Sequence, residues 1–350
     1  MNQAKVLNFF GLLLIMFGIS FAIPLFVAIF YGESLIRVFA LGISILVLIG
    51  FLSWFFTKDN KQELSLSDGF VITVLFWIVL SVSGSIPFIL FGFGIVDSFF
   101  ESMSGITTTG ATVIAGLDDL PKSLLIYRQL LQWLGGMGLI VLAIAVMPLL
   151  GIGGGQLFKT QTPGPMSEQR LTPRITSTAR ALWSIYFVLT VLCIFAYRLA
   201  GMNYFDAVSH AFSTVSIGGF STHDLSIGFF DSLSIEIVCI TFMLLSAMSF
   251  AVHYSAIYRK QVLKYFYDPE LRFFVSILIV ILGLVCLSLF ANDIDDPIRS
   301  GLFQTVSILT TTGFLTDEYS SWPAYISFML LVGEFERFTP NRSIEICLIG

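Results

Sequence analysis

The chain has 350 residues, of which 56% are hydrophobic and 12% charged, and its formal net charge is −5. Soluble domains rarely exceed about half apolar residues, so the composition excludes an ordinary soluble protein and predicts a polytopic membrane protein. The acidic balance and the lack of a basic run argue against nucleic acid as a partner.

Apolar segments long enough to span a bilayer, about 20 residues each, follow one another along the chain. The first is too long for the apolar region of a signal peptide and has no small-residue cleavage site, so it is predicted to be a retained span. The segments lie near 6–31, 35–56, 69–93, 125–150, 181–201, 232–257 and 272–291, and an eighth begins at Trp322.

The polar connections between these segments are of two kinds. The basic kind, at 57–69, 158–180 and 258–272, carries most of the lysines and arginines that lie between spans. The other kind is acidic and has few basic residues, among them Arg128 and Arg299. Because cytoplasmic loops of membrane proteins are rich in Lys and Arg, we expect the N-terminus and the basic loops to be cytoplasmic.

A pattern S-x-x-[TS]-x-x-G recurs three times in the acidic connections. It ends at Gly110, Gly219 and Gly313, at spacings of 109 and 94 residues. A short segment with an acidic start precedes each copy, from Asp97, Asp206 and Asp295. Segments of about 10 to 15 residues are too short to cross a bilayer, so they are predicted to be re-entrant helices.

Irregular backbone at membrane depth survives only where protein buries it or where it lines a watery cavity. Carbonyls and threonine hydroxyls around an axis can replace the hydration shell of a cation, and glycine permits the positive φ that turns carbonyls toward that axis. Because the stretches themselves contain no carboxylates, a monovalent cation is favoured. The outer acidic loops would concentrate cations at the mouth.

Other polar features have simpler interpretations. The glycines of "WLGGMG" (133–138) are predicted to let a neighbouring helix pack closely. The three histidines, His210, His223 and His253, have no metal-ligand spacing and are predicted to be hydrogen-bonded interior or loop residues. Glu236 and the outer acidic residues are expected to be solvated caps, with ion relays as the alternative.

The stretches "ESMSGITTTGATV", "HAFSTVSIGGFSTHD" and "FQTVSILTTTGF", with "YRQLLQWLGGMGLIVLAIAVMPLLGIGG" and "TPGPMSEQRLTPRI", resemble the TrkH potassium-uptake subunits of the Trk/Ktr/HKT superfamily. The resemblance covers residues 1 to about 332. It implies two leading helices followed by four helix–pore loop–helix units around a pseudo-fourfold axis. It also implies a plasma-membrane homodimer, here of the bacterial inner membrane, with a cytoplasmic nucleotide-binding regulatory partner of the TrkA type.

The resemblance implies no cofactor and no catalytic residue, with K⁺ as the transported ion. The family's ion-coordinating residues precede the glycine of each loop. Ile217 and Gly218 offer no side-chain oxygen, so backbone carbonyls must do much of the coordination. Carried over, the ion-binding residues are Thr108 and Thr109, Ile217 and Gly218, and Thr311 and Thr312, beside Gly110, Gly219 and Gly313.

The predicted fold class is all-α: two leading transmembrane helices (1–56) and three of the four expected units. The units are 69–150, 181–258 and 272–333, and a divergent tail covers 334–350. Eleven apolar residues at 322–332 reach about 17 Å as a helix, which is short for a full span, so the third unit is expected to be incomplete. On this interpretation the chain is a truncated or frameshifted copy that does not conduct selectively alone.

Two other function classes stay open at this stage. One is a non-conducting membrane subunit that binds only its regulator or partner subunits, which rubidium uptake would distinguish from a transporter. The other, ranked far below, is an intramembrane hydrolase built on Ser104 and His210, which substitution of both residues would test.

Overall fold

The computed structural model describes residues 3–58, 66–151, 172–317 and 322–335, and every regular element in these ranges is helical. The α-helices, in chain order, are α1 Gln3–Ser20, α2 Ala22–Tyr31, α3 Ile36–Thr57, α4 Leu66–Phe91, α5 Ile95–Ile106, α6 Lys122–Gly151, α7 Thr172–Leu199, α8 Tyr204–Val215, α9 Leu233–Ala247, α10 Phe250–Tyr258, α11 Lys264–Tyr267, α12 Pro269–Ala291, α13 Pro297–Leu309 and α14 Ala324–Phe335. Two 3₁₀ turns, Leu117–Asp119 and Ser226–Phe230, follow the first two glycine stretches.

The two leading apolar segments pack against each other. Helix α1 lies along α3, and the two approach so closely at Gly11 that a Cβ there would lie 2.8 Å from the carbonyl oxygen of Gly50. The first predicted segment is divided at Phe21 into α1 and α2. Gly32 then ends α2 in the left-handed conformation, with φ 68°, and turns the chain into α3.

Five helical segments of the described residues are long and apolar enough to cross a membrane. They are Gln3–Tyr31, Ile36–Thr57, Asp68–Phe91, Arg180–Leu199 and Pro269–Ala291. Large apolar side chains such as Phe30, Leu199 and Leu287 stand on their outer surfaces, as expected where lipid rather than water is the surrounding medium. The protein is therefore an all-α, multi-pass membrane protein, as the composition predicted.

Helix α9 and helix α10 form a bent pair where the sequence predicted one long apolar segment near 232–257. Their axes differ by 94°. Met248 and Ser249, between the two helices, have ψ values of 149° and 126°, so the helical hydrogen-bond ladder stops there. The Leu245 carbonyl oxygen at the end of α9 accepts the Met248 N–H at 3.3 Å, and the His253 imidazole Nε2 lies 2.9 Å from the same oxygen.

Three short helices separate the long ones: α5, α8 and α13, with 12, 12 and 13 residues. At 1.5 Å per residue each reaches about 18–20 Å, which is less than the hydrocarbon thickness. Helix α5 packs against α4 and α6, α8 against α6 and α7, and α13 against α9 and α12. The third begins at Pro297 rather than at Asp295, because Asp296 takes a left-handed conformation with φ 45°.

Several predictions fall partly or wholly outside the described residues. They concern residues 59–65 of the basic loop at 57–69, most of the loop at 151–180, and the tail from residue 336 onward. The division of the chain into units remains a prediction.

Candidate ion-binding site

Each short helix leads directly into one of the three glycine stretches, which we name loop 1 (104–110), loop 2 (213–219) and loop 3 (307–313). Positions are counted back from the glycine that ends each loop. The backbone N–H at position −1 donates to the carbonyl of the serine at position −6, with N···O distances of 2.9, 2.8 and 2.9 Å in loops 1 to 3. The N–H at position −2 donates to the carbonyl at position −5, at 3.0, 3.0 and 2.8 Å. These two bonds are the Schellman motif that ends many helices.

Position −2 has an unusual residue for that motif. Thr108, Ile217 and Thr311 have φ values of 55°, 49° and 61°, where glycine is the common choice. A β-branched residue in this region is a steric outlier, and such strain costs about 1–3 kcal/mol and persists only where the surroundings impose it. The same strain at the same position of three separate loops indicates a common structural requirement.

The loop glycines repeat the left-handed conformation two residues later, with φ 78°, 82° and 81°, while the residue between does not have positive φ. Glycine adopts this left-handed conformation without the steric cost that a side chain would add. This alternation of backbone conformation is common to all three loops.

The three loops lie side by side. A Cβ added at Gly110 would overlap the Gly218 carbonyl oxygen, and one added at Gly219 would overlap the Thr312 carbonyl oxygen. Loop 2 therefore touches loop 1 on one side and loop 3 on the other. The predicted site residues Gly218 and Thr312 supply the oxygens at these two contacts, and a Cβ at Gly313 would meet no described atom within 4 Å.

Hydroxyl groups at position −1 bond within their own loops. The Thr109 Oγ1 lies 2.8 Å from the Thr107 Oγ1, and the Thr312 Oγ1 lies 2.8 Å from the Thr310 Oγ1. Loop 2 has glycine at this position. The arrangement fits coordination by backbone oxygens, as Ile217 and Gly218 already indicated.

A buried ion pair that the sequence did not reveal joins loops 1 and 2. The Arg128 Nε donates to the Glu101 Oε1 at 2.7 Å, and both side chains have 0% exposure. Arg128 also donates to the Thr112 hydroxyl and to the Ser221 carbonyl, each at 3.0 Å, and its guanidinium lies 4.4 Å from the ring centre of Phe220. One arginine thus fixes the segments that leave loops 1 and 2.

The glycines of "WLGGMG" allow α6 to approach the ends of two short helices, which confirms the packing prediction. A Cβ at Gly135 would overlap the carbonyl oxygen of Ile106, at the end of α5. A Cβ at Gly136 would lie 3.1 Å from the Cβ of Ser216, just beyond α8. Helix α6 therefore supports loops 1 and 2 together.

Glu236 is not the solvated cap that the sequence predicted. It is buried on α9 and accepts from the Arg299 guanidinium of α13, with N···O distances of 2.7 and 3.0 Å. Arg299 also pairs with the exposed Asp231 at 2.9 Å. Glu236 and Arg299 are 63 positions apart in the chain, and only the fold brings them into contact.

All three histidines are hydrogen-bonded, as predicted. The His210 Nδ1 and Nε2 lie 2.9 Å from the Asp206 carbonyl and 3.0 Å from the Ser221 Oγ, so its partner is not Ser104 and the hydrolase interpretation is wrong. His223 pairs through Nδ1 with Asp118 and stacks on Phe229. Burial lowers the pKa of His223, but hydrogen bonds to Asp206 and Asp118 outweigh it and raise the pKa above the usual value.

The chain is similar to known proteins over most of its length. The family model described as "TrkH: Cation transport protein" matches residues 35–335. The chain is 46% identical over 341 residues to the Trk system potassium uptake protein TrkH of Halomonas elongata, covering 96% of the chain and 71% of that protein. It is 42% identical over 342 residues to TrkH of Escherichia coli K12, again covering 96% and 71%.

A solved structure has the same fold. The crystal structure of the potassium transporter TrkH from Vibrio parahaemolyticus superposes with a TM-score of 0.85 at 44% identity, covering 96% of this chain and 70% of that one. The family is one of transporters rather than enzymes. With a family match over most of the chain and relatives well above 30% identity, this chain belongs to the TrkH family of cation transport proteins.

Proposed function

We propose that the protein takes up potassium across the membrane along a path lined by backbone oxygens of loops 1, 2 and 3. The observation that carries the proposal is the repeated backbone geometry: three adjacent loops with the same hydrogen bonds, the same left-handed residues and carbonyls at their mutual contacts. The relatives that match most of the chain are named as potassium uptake proteins.

The residues proposed to coordinate the ion are those at positions −2 and −1. Their carbonyl oxygens would converge on one axis and replace the hydration shell of K⁺. The glycines at the loop ends would keep neighbouring loops close enough for that convergence. The residues are Thr108, Thr109, Ile217, Gly218, Thr311 and Thr312, with Gly110, Gly219 and Gly313.

Uptake into cells tests this function. The full-length protein would be produced in a bacterium that lacks its own potassium-uptake systems, and rubidium accumulation and growth at low K⁺ would be measured. We expect saturable accumulation that external K⁺ inhibits. Accumulation no faster than with an empty vector, although the protein is found in the membrane, would contradict the proposal and favour the non-conducting alternative.

We further propose that the protein lies in the bacterial inner membrane with its N-terminus and basic loops in the cytoplasm. The segments that follow the loops contact one another, since Asp224 accepts from the Gly116 and Leu117 N–H groups and the Gly228 N–H donates to the Leu315 carbonyl. The acidic connections thus share one face, which the distribution of Lys and Arg would put outside.

Labelling from outside the cell tests the orientation. Lys260→Cys lies in a basic loop and Leu225→Cys in an acidic connection, and both native side chains are exposed. In a background without native cysteines, an impermeant maleimide should label Leu225→Cys in intact cells and label Lys260→Cys only after lysis. The reverse pattern would overturn the orientation.

The remaining proposal concerns partners: a homodimer and a cytoplasmic nucleotide-binding regulator of the TrkA type. Family resemblance supports both. Light scattering of the purified protein in detergent should give the mass of two chains, and a co-expressed regulator should co-purify with it. A monomeric mass or failure of co-purification would contradict the corresponding part.

A further inference from the structure

Gln132 is a buried glutamine on α6 whose amide contacts loop 2 at three points. Its Nε2 donates to the Gly218 carbonyl oxygen at 2.6 Å. Its Oε1 accepts from the Ser213 hydroxyl at 2.7 Å and from the Phe220 N–H at 3.1 Å. One side chain therefore holds the start of loop 2, its proposed coordinating carbonyl and the residue that follows its glycine.

This amide stands where loops 1 and 3 have a threonine side chain. In those loops the hydroxyl at position −1 contacts the hydroxyl at position −3, at 2.8 Å in both cases. In loop 2 position −1 is Gly218, and a Cβ there would overlap the Gln132 amide carbon. Gly218 does not have positive φ, so its backbone does not require glycine. The space that Gln132 occupies accounts for the missing side chain.

The contact with Gln132 also constrains the Gly218 carbonyl oxygen. A carbonyl oxygen has two lone pairs, and here one accepts the Gln132 N–H while the oxygen lies against Gly110 of loop 1. A fixed donor sets the direction of that oxygen and reduces the negative charge it presents to a cation. A side chain of α6 thus acts directly on the backbone of loop 2.

We infer that Gln132 is a positioning residue that tunes cation selectivity by orienting the Gly218 carbonyl from outside the ion path. The inference rests on the proposed potassium uptake and deepens it. Gln132 does not itself touch the ion, and it lies outside the repeated S-x-x-[TS]-x-x-G pattern.

The test compares two buried glutamines on the same helix. Gln132→Met keeps the volume but removes all three hydrogen bonds. Its matched control is Gln129→Met, since Gln129 lies about one turn away, is equally buried, and its amide has no hydrogen-bond partner among the described residues. The readouts are the ratio of K⁺ to Na⁺ uptake and the KM for K⁺ in the full-length protein.

We expect Gln132→Met to lower the K⁺ to Na⁺ ratio about 2- to 10-fold, the range of one net hydrogen bond. Gln129→Met should leave the ratio at the wild-type value. A folded Gln132→Met protein with the wild-type ratio and KM would overturn the inference. Absence of uptake by the wild-type protein would instead contradict the proposed function, so the two failures are distinguishable.

A second pair of variants decides the matter if Gln132→Met does not fold. Gly218→Thr alone should abolish uptake because its side chain overlaps Gln132. Adding Gln132→Ala frees that space and gives loop 2 the threonine that loops 1 and 3 have, so uptake should return in part. If the double variant is as inactive as Gly218→Thr, the Gln132 amide does not stand in for the threonine side chain of loops 1 and 3, and the inference is overturned.

Discussion

Between loops 1 and 2 the supporting ion pair is buried, whereas between loops 2 and 3 it reaches the solvent. Arg128 and Glu101 have 0% exposure at the first contact. At the second, the Arg299 side chain is 34% exposed and Asp231 86%, with only Glu236 buried. The loops themselves touch closely at both places, through Gly110 and Gly219. Close backbone contact is thus common to both junctions, while its electrostatic support differs.

This difference in exposure predicts at which junction the loss of a charged side chain costs more stability. An exposed pair contributes about 0–1 kcal/mol because water can replace either partner. A buried pair is costly to break, since the remaining charge has neither water nor partner. Arg128 in addition satisfies the Ser221 carbonyl and the Thr112 hydroxyl, so several buried groups depend on its position. We therefore expect the first junction to fail more severely than the second.

The largest effect is predicted for Glu101→Gln, which leaves the Arg128 guanidinium buried without a carboxylate. The cost should be about 3–5 kcal/mol, enough to deplete folded protein. The matched change at the other junction, Asp231→Asn, should cost at most about 1 kcal/mol, because Asp231 is 86% exposed and Arg299 keeps its bond to the buried Glu236. Thermal melting in detergent and the yield of folded protein measure both. Equal losses for the two variants would contradict the contrast between the junctions.

A smaller effect on stability, with loss of transport, is predicted for Gly219→Ala. The added methyl group would overlap the Thr312 carbonyl oxygen, and φ is +82°, so loops 2 and 3 must separate. Rubidium uptake should fall to the empty-vector level while the protein still inserts. The control is Gly32→Ala, which has a similar φ of +68° but no atom within 4 Å of the new Cβ. That variant should lose only about 1–2 kcal/mol of stability and keep transporting, and equal uptake by both would refute the close contact.

The contrast also shows what the sequence could and could not predict. Long apolar segments and the repeated S-x-x-[TS]-x-x-G pattern gave the helical class and the three loops, because span length and glycine freedom are local properties. Arg128 looked like one of a few basic residues on the outer side. Its burial depends on Glu101, 27 positions earlier, and on loop 2, nearly a hundred positions later. Such long-range pairings leave no local signal.

Two further features escaped prediction for related reasons. Gln132 lies on α6 and has no counterpart in the repeated pattern, so only its contacts reveal that it supports loop 2. The 94° bend between α9 and α10 occurs at Met248 and Ser249, without proline or glycine at the break. Helix propensity alone would not predict this break, which is accompanied by the contact of His253 with the Leu245 carbonyl.

The smallest effect concerns pH at the outer edge of the first junction. His223 pairs with Asp118 from the connection after loop 1, and its Nε2 lies 3.4 Å from the Asp206 carboxylate. Asp118 is 45% exposed, which limits the contribution to about 0.5–1 kcal/mol. Burial raises the pKa of Asp118, but hydrogen bonds to His223 and Asp224 outweigh it and hold the pKa below the usual value.

The signs of the two shifts define the pH window. Because the pKa of His223 is raised in the folded protein, its contribution to stability is complete below the unfolded value of about 6.5 and is lost as pH rises through the folded value. Because the pKa of Asp118 is lowered, its contribution is present above about 3.8 and is lost as pH falls through the folded value.

The melting temperature of the wild type should therefore exceed that of His223→Gln near pH 5 to 6, and the difference should shrink above pH 7 as the imidazole loses its proton. Asp118→Asn removes the same pair and should show the same profile. A difference from the wild type that stays constant between pH 5 and 9 would mean that His223 is held there by stacking on Phe229 and not by charge.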